Sequence, residues 1–375
     1  MIAAIGLVAA LWWSLAMAVL AASFLAALLH VPGPHAKGDI DRPVTVIVPV
    51  KYATSHLEDD LASLFAQDYR AFEILITAAE DSSPALETAR ALATRFSTIP
   101  SQILKSHGGH AASPKLDNLW EAIGAARHDL ILTIDSNVRL RPDDLTHLVR
   151  HHEPGIGLVS TISIAQDPQS FPAWIECAIV NAYHGRVLML ISALGLGVGC
   201  GKIMLFSRAD LARAGGLEAL AWAIGEDEAM QQAFEKIGLR TVLSDHTSAQ
   251  LLGPRSWSEI WQRQLRWALI WRIQTPGVLL CDFLLSALPV SLAAALAAAR
   301  VHIAPGLAAA ETLIFWFVVE SLLSLIKGWP LSIWSFPAFL GREILSLAVR
   351  LRALTTREVN WGGERHVVAG EGAGR

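Results

Sequence analysis

Three groups of acidic residues stand where a ligand or a reacting group could be bound. Glu80 and Asp81 follow a predicted strand that ends at Thr77, and Asp135 directly follows a second predicted strand. Ligands of open α/β sheets bind beyond the carboxyl ends of the strands, so both positions are candidates for a binding site. Taken singly, an Asp after a strand is more often a turn or cap residue.

The third acidic group is the run Glu226-Asp227-Glu228, which comes directly after Gly225. Acidic side chains favour the first turn of a helix because the positive end of the helix dipole lies there. This structural role does not exclude a catalytic one, so Asp227 stays a candidate.

A tryptophan-rich segment follows. At 100° per residue on a helix, Trp257, Trp261, Trp267 and Trp271 fall within about one third of the circumference, and Arg266 points away from them. An aromatic face of this kind indicates an amphipathic helix in the headgroup region of a membrane, which we place at residues 253–275. An aromatic stripe packed into a protein core is the equally weighted alternative.

An α/β domain over residues 42–252 must position the acidic groups. Its short apolar runs predict buried strands, and helical patterns fall between them, so the sheet should be mostly parallel. The predicted strands are Val44–Val50, Phe72–Thr77 and Leu130–Ile134, and the predicted helices are Leu57–Gln67, Ser83–Phe96 and Lys115–Ala126.

Both ends of the chain have the composition of membrane segments. Hydrophobic residues make up 53% of the 375 residues and charged residues 17%, against about 25% charged in a typical soluble protein. Residues 1–30 contain an uncharged run, Ile2–Leu29, that is about 42 Å long as a helix and predicts a retained transmembrane anchor. No Lys or Arg precedes the run, which disfavours a cleaved signal peptide.

Residues 277–349 hold three further apolar segments. Gly277–Ala299 is interrupted only by Asp282, and Gly306–Ile326 only by two glutamates. Trp329–Val349 is the poorest candidate because Arg342 and Glu343 interrupt it, and it could be re-entrant. If all three segments span the membrane, the basic residues at the start of the tail, residues 350–375, contradict the positive-inside tendency. The rest of this tail is rich in glycine.

Composition also excludes some classes of function. The net charge of −4 gives no sign of a nucleic-acid-binding surface. Cys177, Cys200 and Cys281 are far apart and form no Cys-x-x-Cys pair. This spacing disfavours a zinc site and a disulfide framework, and it fits a reducing compartment.

In order, the motifs resemble those of the family-two glycosyltransferases, which have a GT-A-type nucleotide-sugar-binding fold. They are the first acidic cluster, Asp135-Ser-Asn, Glu226-Asp227, and Arg263-Gln-Leu-Arg-Trp. Within that group the chain is most similar to ceramide glucosyltransferases, from about Val44 to Pro289. The supporting stretches are Pro114–Leu119, Asp135–Arg139, His184 with its neighbours, and Ala214–Leu217.

This resemblance implies a membrane-bound, inverting hexosyltransferase. The donor is expected to be UDP-glucose or a related UDP-sugar, and the acceptor the primary hydroxyl of a lipid, ceramide first of all. Mg²⁺ or Mn²⁺ would neutralise the diphosphate as a Lewis acid. The domain order would be an N-terminal transmembrane helix, the GT-A domain and C-terminal transmembrane helices.

The resemblance also implies roles for individual residues. Asp227 would be the general base, with Trp267 near the acceptor, and His184 would be either a site residue or a satisfied buried histidine. Asp135 would hold the metal, and Arg266 would bind the diphosphate. The remaining donor-binding candidates are Glu80 or Asp81 toward the uridine, Arg263, and Lys115 unless it is a solvated helix-start lysine.

The chain departs from the family pattern in two places. The spacing along the sequence indicates that Glu80 is the first acidic motif, whereas the type of side chain indicates Asp81. The second motif is ordinarily Asp-x-Asp, and Asn137 stands at its last position, which weakens metal ligation there.

Three alternatives stay open. The same chemistry could act on another lipid, as in the hopanoid-associated glycosyltransferases, with UDP-N-acetylglucosamine. A processive polysaccharide synthase needs more membrane segments. A non-catalytic sugar-nucleotide-binding membrane protein would not need the intact Glu226-Asp227 and Arg266-Trp267 pairs.

The expected location is a membrane, with the catalytic domain in the cytosol, where UDP-sugars are made. Lys37 and Arg42, which follow the anchor, agree with that orientation. The composition, rich in Ala and Arg, is typical of a GC-rich bacterium and hence predicts the bacterial cytoplasmic membrane.

Overall fold

The computed structural model describes residues 2–31, 41–80, 82–361 and 364–368. Their strands are β1 Val44–Pro49, β2 Phe72–Ala78, β3 Ser101–Lys105, β4 Leu130–Ile134, β5 Val138–Arg139, β6 Ile156–Pro168, β7 Ile203–Ser207, β8 Arg240–Gly253, β9 Glu358–Trp361 and β10 Glu364–Val367. Their α-helices are α1 Ile2–Leu29, α2 Leu57–Phe65, α3 Pro84–Arg95, α4 Pro114–Ala125, α5 Asp144–His151, α6 Phe171–Cys177, α7 Arg186–Ala193, α8 Arg208–Arg213, α9 Glu226–Lys236, α10 Trp257–Gln274, α11 Pro276–Leu284, α12 Ala287–Arg300, α13 Pro305–Lys327 and α14 Ser335–Thr355. A π-helical segment, Ala178–Gly185, joins α6 to α7, and Leu217–Ala219 forms a 3₁₀ turn.

The chain divides into two units. Of the described residues, the sheet unit comprises those within 31–164 and 191–253, and the helical unit comprises those within 2–30, 165–190 and 254–368. The segment from Ala165 to Leu190, which contains His184, therefore groups with the apolar helices although it lies within the predicted range 42–252.

An eight-stranded sheet forms the centre of the sheet unit, in the order β3-β2-β1-β4-β7-β6-β8-β5. The strands β3, β2, β1 and β4 are parallel to one another, and Ile47 of β1 pairs with Leu75 of β2 and Thr133 of β4. Beyond β4 the sheet continues with β7, which is antiparallel to it. The predicted α/β class and parallel strands are confirmed.

Side chains of β1 alternate between two cores. Val44, Val46 and Val48 pack with residues such as Leu61, whereas Ile47 packs on the other side with residues such as Phe234. A parallel sheet covered by helices on both faces buries both sets of side chains, which is why its strands are continuous apolar runs in the sequence.

The helical unit contains two described helices that are long and apolar enough to cross a bilayer, Ala4–Leu29 and Pro305–Lys327. The helices α11 and α12 meet at an angle of 56° and would make a third crossing if they act as one span. Within this unit α1 packs against α12 and α13, around a core that includes Leu20, Val290 and Trp316.

Charged residues that interrupt the predicted C-terminal segments are paired inside this unit. The Arg342 guanidinium lies 2.9 Å from a carboxylate oxygen of Glu320 and 2.7 Å from one of Glu343, and all three side chains are buried. Removing one partner of such a group leaves an uncompensated buried charge, so the pairing explains how α13 and α14 tolerate these residues.

Candidate active site

Four charged side chains meet at the carboxyl end of β4. Lys115 Nζ lies 2.6 Å from Asp135 Oδ1 and 3.2 Å from Glu226 Oε1, and it also donates to the carbonyl of Gly201. Asp227 is the neighbour of Glu226 in the first turn of α9. We call Lys115, Asp135, Glu226 and Asp227 the charged cluster. Three predicted site residues, Lys115, Asp135 and Asp227, are thus brought together with a fourth residue that had no assigned role.

Local sequence places each of these side chains. Asp135 is the first residue after the buried strand β4, and its N–H donates to the carbonyl of Lys202 at 2.9 Å. Ser113 caps α4 by accepting from the N–H of Leu116, and Pro114 occupies the first helical turn. The same Ser113 hydroxyl donates to Glu226 at 3.2 Å, so this one residue links the start of α4 to the start of α9.

Lys115 is a buried cation whose charge is matched within the cluster. Burial acts to lower the pKa of Lys115, but the charges of Asp135 and Glu226 outweigh it and hold that pKa above its usual range. Its side chain is only 11% exposed, so the alternative of a solvated helix-start lysine does not describe it.

Asp227 has the properties that a general base needs near neutral pH. Its two carboxylate oxygens accept from the N–H groups of Gly201 at 2.7 Å and Glu228 at 3.0 Å. Removal from water and the neighbouring Glu226 charge raise the pKa of Asp227 to about 6. Catalytic efficiency is best when the pKa of a base lies near the working pH, so this carboxylate is suited to accept a proton.

Gly199 and Gly201, the last two glycines of the run that begins at Gly195, pack directly against the start of α9. A Cβ added to Gly199 would lie 2.5 Å from the backbone oxygen of Asp227, and one added to Gly201 would lie 3.0 Å from its carboxylate. The carbonyl and N–H of Gly201 also bind Lys115 and Asp227. This run was not predicted as part of the site, although glycine at every second position indicates close backbone contact.

We expect Gly199→Ala to destabilise the sheet unit by about 1–3 kcal/mol, because the new methyl group collides with backbone at the start of α9. Gly124→Ala is the matched control. No atom lies within 4 Å of a Cβ at that position in α4, and removing a helical glycine gains up to about 1 kcal/mol. Melting temperatures of the two variants in detergent test this. Equal melting temperatures would show that the glycine run is not constrained by α9.

Oxygen ligands for a divalent cation are available beside the cluster. Among the described residues, Asn137 Oδ1 is buried without a hydrogen-bond partner, two positions after Asp135. Carboxylate and amide oxygens are the hard ligands that Mg²⁺ and Mn²⁺ take. The residues present therefore fit a cation at this strand end, and Asn137 offers an oxygen there in spite of replacing the usual Asp.

A second group of possible ligands lies on α5 and β8. Ligand atoms of Asp143, His147 and His246 are within 4.8 Å of one another. The imidazole rings of His147 and His246, however, stack with centroids 3.4 Å apart and planes 23° apart. A metal ion lies in the plane of each imidazole that binds it, so these two rings cannot hold one ion in this arrangement. We assign no metal to this group.

The first acidic motif follows β2. Glu80 is exposed there, two residues after Ala78. The alternative residue, Asp81, lies outside the described residues, so the choice between the two stays open.

His184, Arg263, Arg266 and Trp267, the other predicted site residues, all lie in the helical unit. His184 Nε2 is 3.6 Å from Asp282 Oδ1. The His184 ring centroid is 5.7 Å from that of Trp267 and 5.4 Å from that of Trp271. The structure thus brings His184 and Trp267 together.

The two arginines of the Arg-x-x-Arg-Trp motif have different partners. Arg263 forms an ion pair with Glu176, which is fully buried and also lies 3.3 Å from Arg255. The guanidinium of Arg266 stacks on Trp361 of β9 at 4.1 Å. Arg263 is therefore tied to a buried carboxylate, whereas Arg266 is held by an aromatic face. Sequence analysis named neither Glu176 nor Trp361.

The chain is similar in sequence to known glycosyltransferases. The model of glycosyl transferase family 21 matches residues 3–373. Ceramide glucosyltransferase 1 of Caenorhabditis elegans is 28% identical over 210 residues, which cover 55% of this chain and 45% of the relative. Ceramide glucosyltransferase 3 of the same organism is 23% identical, covering 85% of this chain and 71% of the relative. The chain thus matches less than half the length of the first of these relatives.

A solved structure has the same overall fold. The mannosyltransferase PcManGT of Pyrobaculum calidifontis, solved with GDP-Man and Mn²⁺, superimposes with a TM-score of 0.57. The match covers 94% of this chain and 99% of that chain, at 16% identity. The predicted GT-A-type fold with added apolar helices is confirmed by this likeness.

Proposed function

Because the chain belongs to glycosyl transferase family 21, the family of the ceramide glucosyltransferases, we propose that it transfers glucose from UDP-glucose to the primary hydroxyl of ceramide. That it is a glycosyltransferase of this family follows from the match to nearly the whole chain. The particular sugar and lipid are the proposal. They are supported by the names of the relatives, whereas the charged cluster supports the transfer chemistry.

The observation that carries the proposal is the juxtaposition of Asp227 with Lys115, Asp135 and Glu226. It places a carboxylate with a pKa of about 6 beside a strand-end site that can hold a cation. Sugar transfer from a nucleotide needs both functions, a base for the acceptor and positive charge for the leaving diphosphate. A domain that only bound sugar nucleotides would have no use for the base.

Several residues are assigned to donor binding. Asp135 and Asn137 would hold Mg²⁺ or Mn²⁺, which when bound neutralises the diphosphate as a Lewis acid. Lys115 supplies a positive charge in the same place, and Arg266 matches phosphate geometry with its planar guanidinium. Glu80 or Asp81 would contact the uridine. Arg263 is paired with Glu176, so it stabilises α10, the helix that carries the Arg-x-x-Arg-Trp motif, and is less available to bind the donor.

The chemical step is a single displacement. Asp227 accepts the proton of the acceptor hydroxyl as its oxygen attacks the anomeric carbon of the sugar. The new C–O bond forms while the bond from that carbon to the diphosphate oxygen breaks, and UDP leaves with the electron pair. Attack opposite the leaving group inverts the anomeric centre.

The lipid acceptor would bind in the helical unit. His184, Trp267 and Trp271 give this unit a polar group with an aromatic wall, and apolar helices surround it. We propose that residues 42–252 hold the donor, residues 253–275 lie at the membrane surface, and α1, α11–α12 and α13 lie in the membrane. A bacterial cytoplasmic membrane, with the sheet unit in the cytosol, completes the proposal.

The test is transfer of labelled sugar by full-length protein reconstituted into vesicles. Ceramide, diacylglycerol and a hopanoid polyol are supplied in parallel, each with labelled UDP-glucose and UDP-N-acetylglucosamine. We expect glucose on ceramide and none with Asp227→Asn protein, which controls for contaminating enzymes. Label that appears only on the hopanoid or diacylglycerol would discard ceramide as the acceptor, and no label on any lipid would discard lipid glycosylation.

The same labelling assay, applied to sealed membrane vesicles from expressing cells, tests orientation. UDP-glucose does not cross a bilayer, so only the side that carries the sheet unit can use it. Inside-out vesicles should incorporate label at once, and right-side-out vesicles only after they are opened. The opposite order would place the sheet unit outside the cytosol.

A further inference from the structure

Asp282 is an acidic residue in the otherwise apolar helix α11, and its carboxylate has two partners. Arg350 of α14 donates through Nε to Asp282 Oδ2 at 2.8 Å, and a second nitrogen of the same guanidinium binds the same oxygen. The other oxygen, Oδ1, lies 3.6 Å from His184 Nε2. The sequence alone does not explain the acidic residue in the segment 277–299 or the basic residue after position 349. In the structure these two residues are partners.

The backbone around Asp282 is fixed as well. The hydroxyl of Tyr183 donates to the carbonyl of Asp282 at 2.6 Å, and Arg350 Nη2 donates to that carbonyl at 3.0 Å. The carboxylate therefore has little freedom to turn, and Oδ1 stays directed at the imidazole. Asp282 and Arg350 are each only 11% exposed, so solvent screens this arrangement weakly.

A carboxylate beside one nitrogen of an imidazole determines where the proton is. The negative Oδ1 favours a hydrogen on Nε2 of His184, and the neutral ring then carries its lone pair on Nδ1. At 3.6 Å the contact is electrostatic, and such contacts often shorten only when a substrate binds. Trp267 and Trp271 lie beside the ring, so the imidazole is a polar group within an aromatic wall.

We propose that Asp282 is a positioning residue that holds His184 in the Nε2–H form, so that His184 Nδ1 accepts a hydrogen bond from a hydroxyl of the lipid acceptor. The inference rests on the proposed function for the identity of the ligand. Arg350 balances the charge of Asp282. The base remains Asp227, and the proposed bond to His184 orients the lipid within the helical unit.

A purely structural role for the Asp282–Arg350 pair is the competing explanation. Two charges in an apolar environment stabilise each other, and removing one alone unfolds many proteins. The double variant Asp282→Asn/Arg350→Gln separates the explanations, because it removes both charges and leaves neither unpaired. If the pair were only structural, this variant would regain normal acceptor binding.

The first readout needs no substrate. Full-length protein with ¹⁵N-labelled histidine is placed in lipid nanodiscs, and the imidazole nitrogens are observed by solid-state NMR, with His184→Gln assigning the signal. We expect wild-type His184 to have its proton on Nε2 and the double variant to show a mixture of both forms. A wild-type proton on Nδ1 would overturn the proposal whatever the variants do.

The second readout is the kinetics of transfer to the lipid. We expect the double variant to raise the acceptor KM about tenfold, the loss of one well-oriented hydrogen bond, with the donor KM unchanged. An unchanged acceptor KM would overturn the proposal. If wild-type protein transfers no sugar to any lipid, the proposed function fails, and the NMR result still decides the form of His184 independently.

Discussion

Asp227→Asn is expected to lower the rate of sugar transfer by roughly 10² to 10⁴, the usual effect of removing a general base. Asparagine keeps the size of aspartate and one oxygen that can accept from the N–H of Gly201, but it loses the bond from the N–H of Glu228, so the melting temperature should fall slightly. Donor binding should hardly change, because the donor contacts assigned above do not include this carboxylate. The measurement is kcat with calorimetric UDP affinity and melting temperature for the same preparation.

The matched control is Glu228→Gln in the same first turn of α9. If the acids only stabilise the helix dipole, both substitutions cost about 1 kcal/mol or less and leave turnover nearly intact. The pH profile gives an independent check on the same residue. Since the pKa of Asp227 is raised to about 6, the active carboxylate is present above that pH and kcat should fall as the pH drops through it. Normal turnover of Asp227→Asn would show that another group is the base.

Removal of divalent cations is expected to abolish transfer, with recovery on addition of Mg²⁺ or Mn²⁺. The leaving diphosphate carries heavy negative charge, and Asp135 with Asn137 offers the oxygen ligands at the strand end where it must bind. The activity of protein dialysed against chelator measures this. Calorimetry of UDP binding with and without Mn²⁺ separates metal binding from the chemical step.

Variants at the two ends of β4 give the control. Asp135→Asn should remove the dependence of UDP affinity on Mn²⁺. Asp129→Asn should keep it, because Asp129 stands before the strand and accepts from the Ser207 hydroxyl at 2.7 Å and the Ala209 N–H at 2.9 Å. Asn137→Asp should tighten metal binding by restoring a carboxylate. Full turnover in excess chelator, with no metal carried through purification, would exclude the metal.

Buried parallel strands were the most predictable part of the fold. The predicted range Leu130–Ile134 matches β4, and Phe72–Thr77 differs from β2 by one residue. These strands are covered on both faces, so their sequences are continuous apolar runs that a helix of the same length does not show. The antiparallel strand β7 was not predicted, because its apolar run gives no information about its direction or its neighbours.

The charged cluster was predictable residue by residue but not as a cluster. Asp135 and Asp227 were named from strand ends and motif order. The burial of Lys115 was not predicted, because its partners Asp135 and Glu226 are distant in the sequence and approach it only in the folded sheet unit. The environments of the tryptophans of α10 could not be predicted from the sequence either. Trp257 is exposed, whereas Trp267 and Trp271 contact His184, and the period of the helix alone cannot distinguish these environments.

The pairing of Asp282 with Arg350, and of Glu320 with Arg342, has a consequence for the synthesis of the protein. The acids lie in α11 and α13, and both arginines lie in α14, which leaves the ribosome later. An aspartate within an apolar helix costs up to about 2.5–3.5 kcal/mol on insertion through the translocon. Glu320 also lies 3.8 Å from Arg186, which is synthesised before it, whereas the arginine partner of Asp282 is synthesised after it. We therefore expect chains truncated before α14 to integrate α11 and α12 into membranes less efficiently than the full chain does.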